Sequence, residues 1–255
     1  MTCLNKVISI DVLEGTMTIV SNTVDYLDGD VVLEGFFAFD DAASGRRPVV
    51  LIHHAWGGRD EFVADKAEKL AALGYLAFAT DMYGKGIRGR NPEENGRLMQ
   101  PFMQDRGKLQ RRLLAALASV KLMPWADDRR IAAIGYCFGG LCALDLARTG
   151  VDIRGVVSFH GLLLPADNLP SPQIKAKVLA LHGHDDPMVP VAQVQAFEEE
   201  MSRTGADWQL HAYGHTMHAF TNPVANDPGF GTVYEAKADR RSWQAMSNFL
   251  EEIFA

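Results

Sequence analysis

Residues 131–140 read Ile-Ala-Ala-Ile-Gly-Tyr-Cys-Phe-Gly-Gly, an apolar run that passes directly into Gly135-Tyr136-Cys137-Phe138-Gly139. The run is typical of a buried strand, and residues 141–147 continue with helical character. So tight a turn between strand and helix needs flanking glycines, since a Cβ on either side would collide with its neighbours. The turn would raise the Cys137 sulfur above the sheet, beside the next backbone N–H. The stretch predicts a nucleophilic cysteine, with a buried structural cysteine as the alternative.

Short apolar runs alternate with helical segments on both sides of this stretch. The apolar runs, which predict strands, are residues 31–39, 49–52, 75–80, 156–159, 178–181 and 208–213. The segments with helical periodicity are residues 61–73, 92–121 (in two pieces), 191–204 and 234–254. Fully apolar runs of this length are typical of parallel strands buried on both faces. The alternation predicts an α/β fold with a mostly parallel central sheet and helices on both faces.

The length of the chain bounds its domain organisation. Its 255 residues, 47% of them hydrophobic, suffice for one α/β domain with a large core. We assign residues 23–255 to this single domain. Residues 1–22 match no later motif, and we treat them as an N-terminal extension, either a leader or an added edge strand.

Composition and charge exclude several classes of protein. The net charge is −7 and no basic stripe is present, so the sequence does not indicate a nucleic-acid-binding protein. No apolar run approaches the roughly 20 residues that cross a bilayer. No basic region followed by an apolar core marks a secretory signal, and three cysteines suit a reducing compartment better than a disulfide framework. We expect a cytoplasmic protein that acts on a small molecule, of open oligomeric state.

A thiol nucleophile needs a base, and the base needs an acid that holds its tautomer. Two adjacent aspartates, Asp185 and Asp186, follow the predicted strand at 178–181. Two histidines, His215 and His218, follow the last predicted strand. The carboxyl ends of parallel strands meet at one edge of a sheet, where ligands and catalytic groups gather. We therefore expect one acid and one base to meet the cysteine there.

These motifs, taken together, resemble the dienelactone hydrolase family of the α/β-hydrolase fold. The resemblance rests on Gly-Tyr-Cys-Phe-Gly-Gly (135–140), Asp-Pro-Met-Val-Pro (186–190) and His-Ala-Phe (218–220), in that order. Residues 26–35 resemble the usual start of the family, and the match extends from about residue 24 to the C-terminus. The elbow pattern carries cysteine where serine is usual in this fold.

The resemblance implies a hydrolase of small esters or lactones that works through a covalent cysteine intermediate. It implies a triad of Cys137, Asp186 and His218, because the motif register selects these over Asp185 and His215. It implies no metal and no organic cofactor. The chain also resembles a dienelactone hydrolase-like enzyme that hydrolyses phosphotriesters promiscuously, so aryl dialkyl phosphates are further candidate substrates.

Two backbone amides are expected to form the oxyanion hole, which needs N–H donors aimed at the developing negative oxygen. The first is the amide of Phe138, directly after the nucleophile. The second is expected from the loop at 53–58, after the first central strand, and we assign it to the amide of Ala55.

The predicted substrate pocket departs from the family pattern. His54 stands where the family has a glutamate, and Lys85 and Asn222 stand where it has two arginines that clamp a substrate carboxylate. Histidine is never an anion, and lysine lacks the bidentate fork of arginine. The remaining predicted pocket residues are apolar or aromatic: Trp56, Tyr83, Met188 and Phe220. Such a pocket suits uncharged esters better than a carboxylated lactone.

Two alternatives to a cysteine hydrolase stay open at this point. A metal-dependent hydrolase would use the histidine- and aspartate-rich loops, whose histidines are His182, His184, His211, His215 and His218. The sequence has no His-Glu-x-x-His motif, and zinc needs three or four ligands in fixed geometry. The second alternative is a non-catalytic binding protein on a hydrolase fold, because fold does not determine function.

Overall fold

The computed structural model describes residues 6–12, 15–168 and 174–255. The strands of its main sheet are β1 (Lys6–Val12), β2 (Gly15–Asp28), β3 (Val31–Asp40), β4 (Arg47–His53), β5 (Leu76–Ala79), β6 (Ala126–Tyr136), β7 (Gly155–Phe159), β8 (Lys177–Gly183) and β9 (Trp208–Tyr213). Within the described residues these nine strands lie in the order β1-β2-β3-β5-β4-β6-β7-β8-β9. A separate short pair consists of β10 (Asn226–Asp227) and β11 (Thr232–Val233).

The sheet is mostly parallel, as predicted. Strands β5, β4, β6, β7, β8 and β9 run parallel to one another, and β1, β2 and β3 continue the sheet in antiparallel fashion beyond β5. Strand β2 runs without a break across positions 22 and 23, so the predicted end of the N-terminal extension falls inside a strand. Residues 1–5 and 13–14 of that extension lie outside the described residues.

Six helices among the described residues cover the two faces of the sheet. They are α1 (Glu61–Ala71), α2 (Pro92–Gln104), α3 (Arg106–Lys121), α4 (Phe138–Arg148), α5 (Val191–Thr204) and α6 (Ala236–Phe254). Alternate strand residues face opposite sides: Val49 and Leu51 of β4 belong to the core on the face covered by α3, α4 and α5, whereas Val50 and Ile52 belong to the core on the face covered by α1 and α6. The predicted fold class, with helices on both faces, is confirmed.

The predicted helical segment at 92–121 is two helices because Asp105 interrupts it. The side chain of Asp105 accepts a hydrogen bond from the Lys108 amide and so caps α3. No helix within the described ranges combines the length and the apolar character that crossing a membrane requires. The parallel strands β5, β4, β6, β7, β8 and β9 end at the same edge of the sheet, and the loops that follow them lie there.

Candidate active site

Cys137 occupies the turn between β6 and α4, in a backbone conformation that few non-glycine residues adopt. Its φ is 58° and its ψ is −117°. A Cβ at Gly135 would lie 1.9 Å from the Gly139 carbonyl oxygen, and one at Gly139 would lie 2.0 Å from the His53 carbonyl oxygen. The strand, the turn and the helix therefore pack backbone against backbone, which only glycine permits at these positions.

His218 and Asp186 meet at the same edge of the sheet. His218 Nδ1 donates a hydrogen bond of 2.7 Å to Asp186 Oδ2, and the two side chains are 2% and 0% exposed. The other oxygen, Oδ1, accepts the Met188 amide at 2.8 Å, which fixes the plane of the carboxylate. With Nδ1 committed to the carboxylate, the imidazole presents Nε2 to its other side.

The other side of His218 faces the thiol of Cys137. His218 Nε2 is buried without a nitrogen or oxygen partner among the described residues. Burial lowers the pKa of His218, but the charge of Cys137 and hydrogen bonds to Asp186 and Cys137 outweigh it, so the net pKa is raised. Burial raises the pKa of Cys137, but the charge of His218 and hydrogen bonds with His218 and two backbone groups outweigh burial, so the net pKa is lowered. Opposite pKa shifts of this kind are characteristic of a thiolate that is stabilised beside an imidazolium.

Two backbone groups approach the Cys137 sulfur, and they belong to Phe138 and Trp56. Phe138 begins α4, so its amide lies at a helix N-terminus, where negative charge is stabilised. Its predicted position as an oxyanion donor is compatible with this geometry. Ala55, the other predicted donor, lines the cavity, but the second backbone group at the sulfur is that of its neighbour Trp56. The role of the Ala55 amide stays a prediction.

The neighbouring candidates form a separate pair at the surface. His215 Nδ1 lies 3.9 Å from Asp185 Oδ2, and the side chains are 102% and 44% exposed. Neither residue lines the cavity beside Cys137. The structure brings Asp186 and His218 to the cysteine and leaves the alternative pair outside.

A cavity of 210 Å³ opens beside the Cys137 sulfur. Of the predicted pocket residues, Trp56, Met188 and Asn222 line it. The sequence did not indicate its other walls, which are Asp60, Phe62, Met99, Tyr136, His160, Leu162, Ala219, Thr221, Phe230 and Thr232. Phe230 stacks on Trp56 with ring centroids 5.8 Å apart and planes 16° from parallel, which makes one side of the cavity a double aromatic wall.

Two predicted pocket residues, His54 and Tyr83, lie behind the cavity wall, which corrects their assignment. His54 is fully buried, with Nε2 accepting the Met82 amide at 3.2 Å and Nδ1 donating to the Ala55 carbonyl at 2.6 Å. The hydroxyl of Tyr83 donates to the Trp56 carbonyl at 2.8 Å. Both side chains therefore support the loop that carries the cavity residues and do not line the cavity.

The positions of Phe220 and Lys85 also correct the predicted pocket. Phe220 is fully buried and packs edge-on against His160, with ring centroids 5.0 Å apart. Lys85 lies outside the cavity at the surface, where its Nζ is 2.6 Å from Asp25 and 3.6 Å from Glu34. Its charge is thus already shared by two carboxylates and does not face Cys137.

The histidine-rich loops do not converge as a metal site. Within the described part of the chain, no group of three or more His, Cys, Asp or Glu side chains is arranged to hold a metal ion. His211 and His215 are exposed, whereas His182 and His218 are buried.

One of the missed residues, His160, had a signal in the sequence. It follows β7 directly and therefore lies at the same edge as Cys137 and the aspartate–histidine pair. Phe230 and Thr232 belong to the segment around β10 and β11, which returns to the site through pairing of Thr232 with His218. No local pattern in the sequence indicates that return.

Comparisons with known proteins agree with this architecture. The sequence model of the Dienelactone hydrolase family matches residues 33–254. The crystal structure of the dienelactone hydrolase-like promiscuous phosphotriesterase P91, from metagenomic libraries, is 37% identical with a TM-score of 0.90, covering 93% of this chain and 99% of its own. The structure named m3DLH is 35% identical with a TM-score of 0.89, with the same coverage of 93% and 99%.

A curated relative extends the similarity to animals. An uncharacterised protein of Caenorhabditis elegans is 42% identical over 152 residues, which are 58% of this chain and 96% of the relative. The family match spans most of the chain, and the fold, the elbow and the order of the motifs are those expected for it. This chain therefore belongs to the dienelactone hydrolase family.

Proposed function

We propose that this protein hydrolyses small, uncharged esters or lactones through a covalent intermediate on Cys137. The observation that supports this most strongly is the buried Asp186–His218 pair, whose free Nε2 faces a thiol of lowered pKa. Burial alone would have the opposite effect on that thiol, so the pKa shift reflects the arrangement of the neighbours. This is the arrangement that activates a thiol nucleophile.

The first half-reaction forms an acyl-cysteine. The Cys137 thiolate attacks the ester carbonyl, and a carbon–sulfur bond forms as the carbonyl oxygen becomes an oxyanion. The amide of Phe138 and a second amide, either that of Ala55 or that of Trp56, donate to this oxygen. The carbon–oxygen bond to the leaving group then breaks, and the His218 imidazolium gives its proton to the departing alkoxide.

The second half-reaction releases the acid. Neutral His218 takes a proton from a water molecule as the water attacks the acyl-cysteine carbonyl. The tetrahedral intermediate collapses with breakage of the carbon–sulfur bond, which restores the thiolate beside the imidazolium. Asp186 holds the imidazole in the tautomer that each step needs and stabilises its charged form.

The charge of the cavity supports uncharged substrates. Among the described residues that line it there is no Lys or Arg, and Asp60 contributes a carboxylate. Asn222 lines the wall where the family pattern has an arginine. Apart from the His218 imidazolium, which is already paired with the Cys137 thiolate, a substrate carboxylate would meet no cation and would face the Asp60 carboxylate, which is unfavourable. We expect KM for a hemisuccinate ester to exceed that for the matched butyrate ester, and Asn222→Arg to narrow the difference.

Phosphotriesters are the second proposed substrate class, on the basis of the similarity to P91. The Cys137 thiolate would attack phosphorus, a sulfur–phosphorus bond would form and an aryloxide would leave. Water activated by His218 would then break the sulfur–phosphorus bond and release a dialkyl phosphate. A thiol has a pKa of about 8.5, so a thiolate is a far better leaving group than an alkoxide. We expect each enzyme molecule to turn over many molecules of an aryl dialkyl phosphate. A stable phosphoryl adduct on Cys137 after one equivalent, with no further turnover, would contradict this proposal.

The direct test compares p-nitrophenyl butyrate hydrolysis by Cys137→Ala and by Cys142→Ala. Cys142 is a matched control because it is fully buried in α4, does not line the cavity, and has a pKa raised well above the ordinary value by burial. We expect the first variant to lose activity and the second to keep it. A Cys137→Ala variant as active as the wild type would refute the proposal.

A further inference from the structure

His160 is a cavity-lining residue that the proposed mechanism does not use. It follows β7 directly, is 2% exposed and has a φ of 38°, a backbone conformation that is uncommon for non-glycine residues. Strained residues of this kind persist only where the surrounding structure holds them, and they cluster at functional sites. The hydrogen bonds of His160 indicate what holds it.

Both ring nitrogens of His160 are engaged, and together they define its tautomer. The Cys137 backbone N–H lies 3.1 Å from Nδ1, and it also donates to the Phe159 carbonyl at 3.0 Å. Because a backbone N–H can only donate, Nδ1 must be unprotonated. Nε2 therefore carries the proton and donates to Thr221 Oγ1 at 2.8 Å. This fixes the orientation of the ring relative to the nucleophile.

The ring of His160 also borders the base. It packs edge-on against His218, with centroids 5.1 Å apart, and Tyr136 lies on another side at 6.1 Å. Burial holds the pKa of His160 well below its ordinary value, and the charges of His218 and Lys66 lower it further. His160 therefore stays neutral, and it places no second positive charge beside the His218 imidazolium.

We propose that His160 is a positioning residue that aligns the Cys137 sulfur with His218 Nε2. His160 Nδ1 accepts a hydrogen bond from the Cys137 N–H, which anchors the strained turn, and the His160 ring packs against His218. The inference rests on the proposed role of Cys137 as nucleophile. It adds a residue that contacts the nucleophile and the base at once.

The structure provides a matched control for a buried histidine–threonine pair. His53 Nδ1 is bonded to Thr80 Oγ1 at 2.9 Å, and both residues are fully buried. Neither lines the cavity. Thr80→Val and Thr221→Val therefore each deprive a buried histidine N–H of its acceptor, but only Thr221→Val does so at the nucleophile.

The test measures alkylation of Cys137 by iodoacetamide, followed by peptide mass spectrometry, as a function of pH. In His160→Phe, which removes the acceptor, the weaker pairing with His218 should move the midpoint of alkylation up by about one pH unit. The rate constant below the midpoint should therefore fall about 10-fold, because it follows the thiolate fraction. A merely structural role would lower thermal stability without moving this midpoint.

Two further variants separate the acceptor from the bulk of the ring. His160→Asn places an oxygen near the position of Nδ1 and tolerates a positive φ, so we expect its alkylation midpoint and rate constant to stay close to those of the wild type. Thr221→Val should shift the midpoint in the same direction as His160→Phe, and Thr80→Val should leave it unchanged.

The outcomes that overturn the inference are distinct from failure of the proposed function. Wild-type rate constants and midpoints in His160→Phe would overturn it. If His160→Phe does not fold, an alkylation midpoint in Thr221→Val equal to that of the wild type would overturn the inference instead. The proposed function fails by another observation, namely ester hydrolysis that persists in Cys137→Ala, because alkylation does not depend on the substrate.

Discussion

Two histidine–aspartate pairs lie beside each other where β8 and β9 end, and their surroundings differ in every respect that matters for catalysis. His218 and Asp186 are buried and joined at 2.7 Å, whereas His215 and Asp185 are exposed and 3.9 Å apart. In water the second pair is screened and contributes little. In the buried pair the second ring nitrogen faces the Cys137 thiol, and the two groups shift each other's pKa in opposite directions. The residue types are the same in both pairs; burial and the third partner distinguish them.

The largest expected difference between the pairs is in the bases. His218→Ala removes the charge that lowers the thiol pKa, and we expect kcat for p-nitrophenyl butyrate to fall about 10⁶-fold, as when a triad base is lost. His215→Ala should stay within about 2-fold of the wild type, since surface substitutions of this kind have small effects. A reversed order of the two variants would break the comparison.

The acids provide the second test. Asp186→Asn keeps the shape of the side chain but removes the charge that orients and stabilises the His218 imidazolium, so we expect kcat to fall about 10⁴-fold. Asp185→Asn is the matched control, one residue away and exposed. Equal kcat values for the two variants, measured with the same ester, would mean that the buried carboxylate does not act through His218.

The pH dependence of kcat/KM sharpens the comparison further. The pKa of Cys137 is lowered, so the thiolate persists as the pH falls, and the rising limb should lie below the ordinary thiol value of about 8.5. The pKa of His218 is raised, so the imidazolium persists as the pH rises, and activity should decline only well above pH 6.5. A single rising limb near pH 6.5 with no decline would instead indicate a neutral thiol–imidazole pair. Stopped-flow rates across the pH range would distinguish the two.

The smallest effect is expected in the aromatic wall beside the buried pair. Phe230→Ala removes the ring stacked on Trp56, and a contact of this kind is worth about 1 kcal/mol. KM for p-nitrophenyl butyrate should therefore rise about 5-fold, with a smaller change for a methyl ester. Val224→Ala, in the same segment but outside the cavity wall, is the control. Equal KM values for the two variants would remove Phe230 from substrate binding.

The sequence predicted most of the fold because the strands are short, apolar and bounded by turns. It fell short in the sheet at β1 and β2, which it offered only as one reading of the N-terminal extension, and at the start of β6. There Ala126 and Asp127 pair with Arg47 and Pro48 of β4 although the segment is polar. That pairing includes a register shift at Pro48/Val49, which no local pattern specifies. Hydrophobic periodicity detects buried strands and is silent on exposed ones.

The sequence predicted the site residues whose positions follow from the order of strands along the chain. It did not predict the residues whose role depends on the direction of the side chain. Cys137, Asp186 and His218 follow strands that end at one edge, so their convergence could be foreseen. His54 and Tyr83 occupy the same loops, but their polar atoms bond to the backbone behind the wall. Which side of a loop faces a cavity depends on contacts distant in sequence. The same holds for His160: its position directly after β7 places it at this edge, but no pattern in the sequence indicates that its side chain faces the cavity.

The most direct measurement is a rapid-quench reaction with p-nitrophenyl butyrate, followed by mass spectrometry of the peptides. A thiolate–imidazolium pair at the elbow predicts one butyryl group on the peptide that carries Cys137, appearing with the first turnover and decaying as butyrate is released. His215→Ala should show the same adduct, and His218→Ala should show little of it. Turnover without an acyl group on Cys137, or with one on another residue, would contradict covalent catalysis by this cysteine.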